Sequence, residues 1–429
     1  MSSKNKIAGV KGMEDLIDPG EAKKWLWIEA TARRIFAPAG FREIRTPILE
    51  EAKLFERGVG ETTEIVEKEM YTLLDRNEKR LAMRPEGTAP VVRAFIEHFT
   101  SHNVQEGRFL YMGPMFRYER PQKGRLRQFH QIGAEIFGAD HPLLDAEMIA
   151  LSHQLFAELG LSALTLSLNS LGEPADREKY RQSLAEFLDG IKGSLCEECQ
   201  RRIVRNPLRA LDCKKPGCID ATAKAPAIAE FYSPEAADHF AAVQAGLRAL
   251  GVPFQLNPRL VRGLDYYEKT VFEFLSADLG AQNSVAGGGR YNGLVEELGG
   301  PQVPAIGFAL GMERLVAILP PNTAFAGETP RVYLLATDPE SERILFPSLK
   351  ALRETGAVVE MDFGGASLKS KMRRADRWNA DWVAIFGEEE RKKNIVILRD
   401  MKSQSQEEIP LDEIFMRLIA RYPTKHPGA

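Results

Sequence analysis

The segment Tyr111–Phe137, YMGPMFRYERPQKGRLRQFHQIGAEIF, constrains the fold of this chain more than any other. Its two ends are apolar, and the loop between them carries several cations together with Pro121 and Gly124. Apolar runs that flank proline and glycine are typical of strands joined by a turn. The segment therefore predicts a β-hairpin with a basic loop.

Two polar side chains, Gln131 and Glu135, interrupt the second apolar run of this hairpin. Side chains alternate along a strand, so residues 131, 133 and 135 share one face. Arginines such as Arg117 and Arg125 suit phosphate oxygens, which they hold in forked hydrogen bonds, and a carboxylate accepts from a small donor group. The hairpin thus predicts a site for a polyphosphate above a small polar ligand. A solvated basic loop on an ordinary hairpin is the alternative that this segment alone leaves open.

Length and composition set the frame for the rest of the chain. The 429 residues correspond to about three domains at about 150 residues each. The hydrophobic content of 44% and the charged content of 27% are typical of a soluble globular protein. The net charge of −3 requires any nucleic-acid contact to come from local basic patches. We expect a cytoplasmic protein without membrane contact, since the sequence shows no secretory signal and no apolar run that could span a bilayer.

The first part of the chain predicts a helix over Glu21–Ala39 and then a strand, FREIRTPILE, interrupted at Pro47. A proline there fits a sheet edge or a subunit boundary. Further on, the turn Arg84–Thr88, RPEGT, presents Glu86 and Thr88 at a strand end, where they could receive an ammonium group. The alternative is a structural turn in which Thr88 caps a helix over 89–99.

Residues 173–257 differ in character, with helical patterns at 176–189 and 226–250, a basic run and all four cysteines. We predict a mostly helical insertion here. Disulfides are disfavoured in a reducing compartment, which leaves two alternatives, a structural zinc ion or free thiols. The cysteines concerned are Cys196, Cys199, Cys213 and Cys218.

Three glycine-containing segments follow the insertion. In Leu260–Phe274, Arg262 precedes Tyr266 and Tyr267, which we expect to point to opposite faces so that at least one lines a pocket. The run at 286–294, AGGGRYNGL, is predicted to be too glycine-rich for regular structure and to let main chain approach a ligand. Residues 305–319 predict a strand that leads into a helix, where Arg314 is either a phosphate ligand or part of an exposed pair with Glu313.

The last part of the chain predicts an α/β domain after a linker at 320–330. Its predicted strands are 332–336, 357–361, 382–387 and 395–399, and its predicted helices are 340–355, 367–379 and 411–421. The second of these helices offers an RNA-binding face or a solvated one. Its cations are Lys369, Lys371, Arg373, Arg374 and Arg377.

Taken in order, these motifs resemble those of class II aminoacyl-tRNA synthetases, and in particular the histidyl-tRNA synthetase family. The helix and strand with Pro47 resemble motif 1, the hairpin resembles motif 2, and GFALGMERL at 307–315 resembles motif 3. RPEGT and LVRGLDYY are similar to signatures of the histidine family, and the resemblance runs from about residue 8 to about residue 425.

The resemblance implies an α+β catalytic domain on an antiparallel six-stranded sheet, formed by residues 1–170 and 258–322 around the inserted helical domain, residues 171–257. A C-terminal α/β anticodon-binding domain, residues 331–425, follows. It also implies a homodimer with motif 1 at the interface.

The implied activity is that of a histidine–tRNA ligase, which joins L-histidine to ATP with Mg²⁺ and passes the histidyl group to tRNA(His). A synthetase-like regulatory subunit of histidine biosynthesis, which keeps the catalytic sheet but carries out no adenylation, is the alternative. Such a protein would be expected to lack the phosphate-binding arginines and the C-terminal domain, which this chain contains.

Roles carry over to matching positions. Glu135 and Tyr267 are expected to read the imidazole, whose neutral ring has one donor and one acceptor nitrogen, and Arg117 and Arg262 are the expected catalytic residues. The implied histidine-binding residues are Glu86, Gly87, Thr88, Gln131, Glu135, Arg262, Tyr266 and Tyr267. The implied ATP-binding residues are Arg117, Arg125, Arg262 and Arg314. The resemblance does not imply a zinc ion at the cysteines.

Overall fold

The chain forms two compact units, residues 1–323 and 324–429. The computed structural model describes residues 7–17, 21–60, 63–102, 104–121, 124–211, 213–280, 283–320, 330–414 and 417. Most of the predicted linker lies outside the described residues. No helix among them is long and apolar enough to cross a bilayer.

The first unit combines eleven strands and eleven α-helices within its described residues. The strands are β1 (Arg42–Glu43), β2 (Leu49–Glu51), β3 (Thr72–Leu74), β4 (Arg80–Met83), β5 (Gly107–Phe116), β6 (Gln128–Phe137), β7 (Thr165–Ser170), β8 (Gln255–Leu256), β9 (Glu268–Leu275), β10 (Ser284–Arg290) and β11 (Ala305–Gly311). The helices are α1 (Glu21–Phe36), α2 (Ala52–Val59), α3 (Thr88–His98), α4 (Pro142–Glu158), α5 (Pro174–Gly190), α6 (Glu197–Arg205), α7 (Leu208–Leu211), α8 (Pro216–Ala221), α9 (Pro234–Ala249), α10 (Leu294–Glu297) and α11 (Met312–Ile318).

The main sheet has the strand order β1-β5-β6-β11-β10-β9-β7-β8. Its six central strands pair antiparallel, which confirms the six-stranded sheet that the sequence implied. Two two-residue strands, β1 and β8, extend it by parallel pairing at the edges. The predicted hairpin is its β5–β6 pair, in register from Gly107 opposite Phe137 to Phe116 opposite Gln128.

Pro47 lies where the chain leaves the main sheet. The single interrupted strand predicted around it is two strands, because β1 belongs to the main sheet and β2 to a separate three-stranded sheet with the order β2-β4-β3. Proline cannot donate to a ladder, so a break between two sheets accommodates it.

The prediction that the run at 286–294 lacks regular structure is wrong, because its first part forms β10 between β11 and β9. A Cβ atom on Gly288 would lie 2.1 Å from the Gly307 carbonyl oxygen, and one on Gly289 would lie 2.5 Å from the Thr270 carbonyl oxygen. These glycines therefore permit close contact inside the sheet. They do not break it.

Apolar side chains cover both faces of the main sheet. On one face, Trp25 and Ile28 of α1 share a core with Ile132 and Ile136 of β6. On the other, Phe95 of α3 packs in a second core that extends to the helices of the segment 174–221. The cleft described below uses this second face of β6, so both cores fix its floor.

The second unit contains β12 (Arg331–Ala336), α12 (Pro339–Glu354), β13 (Val358–Asp362), α13 (Leu368–Arg377), β14 (Trp382–Phe386), α14 (Glu388–Lys393), β15 (Ile395–Asp400) and β16 (Gln406–Pro410). Its sheet order is β13-β12-β14-β15-β16. The predicted strands are present, whereas α14 and β16 were not predicted. Of the helix predicted over 411–421, a 3₁₀ turn at Leu411–Glu413 is described and most of the rest lies outside the described residues.

Lys371 does not belong to the basic face predicted on α13. Its side chain is 2% exposed, and Nζ donates to the Ala336 carbonyl at 2.7 Å. Lys369, Arg373 and Arg377 are exposed on the same helix. The candidate RNA face is therefore smaller than the sequence suggested.

We predict that Arg290→Ala lowers the free energy of unfolding of the first unit by about 3–5 kcal/mol, because breaking a buried ion pair leaves an uncompensated charge. Arg290 and Asp145 are both fully buried, with Nε 3.0 Å from Oδ1. Arg34→Ala, which breaks an exposed pair with Glu158, should cost about 0–1 kcal/mol. Urea unfolding followed by fluorescence measures both, and equal losses in the two variants would contradict the prediction.

Candidate active site

A cleft of about 310 Å³ opens over β6, β10 and β11 and collects most of the residues that the sequence singled out. The predicted residues that line it are Glu86, Thr88, Arg117, Arg125, Gln131, Arg262, Tyr266, Tyr267 and Arg314. Glu135 lies behind this lining, where it accepts a hydrogen bond from Thr88, and Gly87 stands between Glu86 and Thr88 in the chain. Segments that are up to 228 residues apart in the chain, from Glu86 to Arg314, thus converge on one site.

Glu86 caps the helix that begins beside the cleft. Its two carboxylate oxygens accept hydrogen bonds from the main-chain N–H groups of Thr88 and Ala89, each at 2.8 Å. Helix α3 starts at Thr88 with Gly87 as its N-cap, so the alternative in which Thr88 caps the helix is wrong. Burial raises the pKa of Glu86, and these two main-chain bonds oppose that rise.

The Thr88 hydroxyl instead donates to Glu135 Oε1 at 2.8 Å. Glu135 is completely buried on β6, and the Tyr291 hydroxyl donates to its other oxygen. Burial raises the pKa of Glu135 to about 8, although both hydroxyls lower it. Each carboxylate oxygen has two lone pairs, so each retains capacity for a further donor.

Glycines make room for the side chains under the cleft. A Cβ atom on Gly87 would lie 2.1 Å from the Tyr111 ring, and one on Gly133 would lie 2.2 Å from it. A Cβ atom on Gly307 would lie 1.5 Å from Glu135 Oε2. Gly87 therefore has a clear packing role, and its predicted contact with histidine stays a prediction.

Tyr266 and Tyr267 both line the cleft, which contradicts the expectation that they point to opposite faces. They precede β9 and do not alternate as strand residues do, and their ring centroids lie 4.6 Å apart. Burial raises the pKa of both phenols. The Tyr266 hydroxyl and Gln131 Oε1 are buried without a hydrogen-bond partner among the described residues. Such groups cost about 1–3 kcal/mol each, which a polar ligand would offset.

At the other end of the cleft, Arg117 and Arg125 extend from the β5–β6 loop. Arg117 Nε donates to the Pro85 carbonyl at 2.8 Å, and its guanidinium lies 5.1 Å from the centre of the Phe129 ring. Arg125 pairs with Glu119 at 3.0 Å. These contacts hold the loop beside the cleft, and both guanidinium groups line it.

Arg314 and Arg262 approach from the opposite side. Arg314 donates to the carbonyls of Gly124 and Ser284, so the alternative of an exposed pair with Glu313 is wrong. Burial and the nearby Arg125 charge lower the pKa of Arg314. Arg262 pairs with Glu273 and lies over Gly287, where a Cβ atom would approach within 2.5 Å of its guanidinium. An anion in the cleft would relieve the repulsion among these cations.

Several residues of the site were missed by the sequence analysis. Tyr111 and Tyr291 shape the pocket around Glu135, while Glu119 and Glu273 pair with two of the arginines. Tyr291 had a signal, since it lies two residues after the three consecutive glycines at 287–289. Glu273 had only its polarity within an apolar strand, which does not reveal a partner eleven residues away.

The six-stranded antiparallel sheet and the arginine-lined cleft on it define a class II aminoacyl-tRNA synthetase. A family model described as Histidyl-tRNA synthetase matches residues 12–315, and one described as Anticodon binding domain matches residues 332–421. The chain belongs to the histidyl-tRNA synthetase family.

Similar proteins agree over nearly the whole chain. A histidine–tRNA ligase from Geobacter sulfurreducens is 49% identical over 414 residues, which cover 96% of this chain and 100% of the relative. One from Trichlorobacter lovleyi is 51% identical over 406 residues, which cover 95% and 96%. Apo histidyl-tRNA synthetase from S. aureus superposes with a TM-score of 0.79 at 33% identity, over 96% of this chain and 99% of that one.

A fourth comparison bears on the regulatory alternative. A Bacillus halodurans structure described as ATP phosphoribosyltransferase regulatory subunit/histidyl-tRNA synthetase has a TM-score of 0.65 at 21% identity, over 89% of this chain and 98% of that one. This likeness shows the fold alone. The relatives near 50% identity are named ligases, which supports the ligase over the regulatory subunit.

We predict that Glu135→Gln gains stability relative to the unsubstituted protein as pH rises. Because the pKa of Glu135 is raised from 4.5 to about 8, the folded state holds a proton that the unfolded state has lost between these values. Its stability therefore falls as pH rises through that window. Glutamine does not ionise and removes this loss.

The measurement is the difference in melting temperature, variant minus unsubstituted protein, at about pH 5.5 and about pH 8.5. It should become more positive at the higher pH. Glu296→Gln, at an exposed position, is the control and should show no such trend. If the melting-temperature difference for Glu135→Gln is the same at both pH values, burial does not raise the pKa of Glu135.

Proposed function

We propose that this cleft joins L-histidine to ATP, releasing pyrophosphate, and then transfers the histidyl group to the 3′ end of tRNA(His). The observation that carries the proposal is the division of the cleft into two ends. One end presents buried oxygen acceptors and hydroxyls, and the other presents guanidinium groups from three separate segments of the chain. An amino acid and a nucleoside triphosphate have this complementary pair of chemistries.

At the acceptor end, the α-ammonium group of histidine binds near Glu86, Thr88 and Gln131. The unpaired Gln131 Oε1 supports this assignment, because an ammonium donor would satisfy it. The carboxylate of Glu86 adds charge complementarity.

The imidazole lies deeper, between Glu135 and the two tyrosines. Glu135 accepts from the ring N–H with a remaining lone pair, and the Tyr267 hydroxyl donates to the second ring nitrogen. An apolar analogue would leave these buried groups unpaired, and sites of this kind reject such analogues by about 10⁴-fold or more.

At the cationic end, Arg117 and Arg262 hold the α-phosphate from opposite sides, while Arg125 and Arg314 hold the outer phosphates. A histidine carboxylate oxygen forms a bond to the α-phosphorus, and the bond to the pyrophosphate oxygen breaks. No protein nucleophile takes part. The chain contributes orientation of the two reactants and stabilisation of the charge that develops on the phosphoryl oxygens.

Magnesium accompanies ATP in this scheme. Its preference for oxygen ligands fits the carboxylates of Glu119 and Glu273, which line the cleft beside the arginines. When bound with ATP, the ion neutralises charge on the pyrophosphate.

We propose that the protein works in the cytoplasm as a homodimer and binds the anticodon of tRNA through its second unit. The three-stranded sheet next to motif 1 supports a dimer, because Leu49, Leu73 and Leu74 are between 42% and 66% exposed there. The second unit matches the anticodon-binding model and exposes Lys369, Arg373 and Arg377 on α13.

The function is tested by ATP–pyrophosphate exchange with purified protein. Labelled pyrophosphate should enter ATP only when histidine is present, and exchange that is independent of histidine, or absent altogether, would refute the proposal. Arg262→Ala should lower the exchange rate about 10²- to 10³-fold, because it removes stabilisation of developing charge.

Arg120→Ala provides the matched control for that variant. Arg120 is exposed on the same basic loop and is absent from the lining of the cleft, so its replacement should leave exchange unchanged. Arg262→Lys keeps the charge without the fork and should recover part of the activity. Loss of circular dichroism signal in Arg262→Ala would instead make the residue structural.

Sedimentation equilibrium tests the assembly. The chain mass is 47.9 kDa, and a homodimer predicts twice that value at micromolar concentration. Leu73→Asp should shift the equilibrium toward the single-chain mass, since it places a charge on the proposed interface. A single-chain mass for the unsubstituted protein would contradict the dimer.

A further inference from the structure

The four cysteines of the segment 196–218 lie together in a cluster, and none of them lines the cleft. Their Sγ atoms all lie within 4.8 Å of one another, and all four are free thiols. Tetrahedral zinc with Zn–S bonds of about 2.3 Å places sulfurs roughly 3.8 Å apart. Small side-chain rotations would therefore bring the four sulfurs to ligand distance.

Short elements bring these sulfurs together. Cys196 is the N-cap of α6 and Cys199 lies in its first turn, while Cys213 follows α7 and Cys218 lies in α8. The Cys196 main-chain N–H donates to Cys218 Sγ at 3.2 Å. A hydrogen bond of this kind orients a metal-bound sulfur and offsets its negative charge.

The surroundings also fit a metal centre. Zinc held by four thiolates carries a net charge of −2, and the Arg202 guanidinium lies close enough to Cys199 to interact with its charge. Helices α6, α7 and α8 have nine, four and six residues. Helices this short are marginal unless tertiary contacts hold them, and a metal supplies such contacts at once.

We propose that Cys196, Cys199, Cys213 and Cys218 bind one structural zinc ion, and that this ion fixes the main-chain segment that carries Arg262. Binding forms four Zn–S bonds, and each thiol that is still protonated releases its proton to solvent. No atom is oxidised or reduced. The second half of the proposal rests on the role given above to Arg262.

On the side before Arg262, the contact runs through Arg259. Its guanidinium donates to the Thr222 carbonyl at 3.0 Å and to the Leu211 carbonyl at 3.3 Å. Thr222 in turn donates to the Cys218 carbonyl at 2.7 Å. Leu211 is the last residue of α7, two residues before Cys213. Arg259 therefore binds directly to the main chain that presents two of the sulfurs.

On the side after Arg262, the contact runs through Arg209 of α7. Its guanidinium donates to the Gly263 carbonyl at 2.8 Å and to Asp265 at 3.2 Å. Arg202, one turn beyond Cys199, donates to the Arg209 carbonyl at 3.3 Å. The elements that carry the cysteines are thus hydrogen-bonded to the chain at residues 259, 263 and 265.

Arg262 lies between these anchored residues, so the position of its guanidinium over Gly287 depends on the cysteine cluster. Loss of the ion would loosen α6, α7 and α8, and with them the anchors of the segment. Misplacement of a reacting group by about 1 Å can cost about 10²-fold in rate. Zinc binding and adenylation are therefore coupled, although the cysteines lie outside the cleft.

The metal half is tested on the full chain, expressed without an affinity tag that binds metal. Elemental analysis should find one zinc per chain, and cobalt substituted for zinc should give the visible absorption of a tetrahedral thiolate site. Cys213→Ser should lose the ion, whereas Cys213→His, which keeps a nitrogen ligand, should retain it. Lys224→Ser, at an exposed position of the same segment, is the matched control. A chain with four titratable thiols, no zinc and no cobalt absorption would overturn the site.

The coupling half is tested by exchange kinetics together with hydrogen–deuterium exchange. Cys213→Ser should lower kcat for pyrophosphate exchange about tenfold to hundredfold, with a smaller change in KM for histidine, and Cys213→His loaded with zinc should recover it. Amides of residues 259–267 should lose protection in the metal-free serine variant. Unchanged protection and unchanged kcat after loss of zinc would overturn the coupling.

The two proposals fail in distinguishable ways. Zinc in a chain that shows no histidine-dependent exchange would support the metal site, and it would refute both the ligase and the positioning of Arg262 for it. Histidine-dependent exchange by a chain that binds neither zinc nor cobalt would support the ligase and refute the metal site.

Discussion

The burial of one carboxylate organises the acceptor end of the cleft. Glu135 on β6 receives the Thr88 hydroxyl from the start of α3 and the Tyr291 hydroxyl from the end of β10, so three elements meet on two oxygens. A charged carboxylate without partners would be too costly at zero exposure. Burial raises the pKa of Glu135, which favours its neutral form, and the two hydroxyl donors stabilise the charged form when it is present. An incoming N–H donor would strengthen the same arrangement.

Much of the fold could be predicted because its elements are long and strongly patterned. The β5–β6 hairpin has ten residues on each strand, and its apolar runs on either side of a proline- and glycine-containing loop are visible in the sequence alone. Residues of the candidate site could also be predicted where their type is rare in such a sequence context unless it binds a ligand. Arginines near glycine turns are such residues, and the cleft brings together four of them, Arg117, Arg125, Arg262 and Arg314.

The rest could not be predicted because it depends on neighbours that are distant in the chain. The glycines of β10 suggested a loop, since glycine disfavours strands, yet side chains and carbonyls from β9 and β11 occupy the space that they leave. Lys371 counted as a surface cation until the fold placed it on the Ala336 carbonyl. Likewise Thr88 is a residue type typical of a helix cap, but Glu86 accepts from the free N–H groups and the Thr88 hydroxyl donates to Glu135.

The glycine-rich strand also sets a limit on how this cleft can change. Where β10 passes under Arg262, its surface is main chain, and added side-chain atoms at Gly287 would collide with the guanidinium. Substitution cannot reshape such a floor without first moving the arginine. New ligand preference would have to arise at the walls, through positions such as Gln131 and Tyr266, whose side-chain oxygens have no hydrogen-bond partner among the described residues. The floor beneath the guanidinium groups is thus formed by main chain, whereas the acceptor end is lined by side chains that substitution can change.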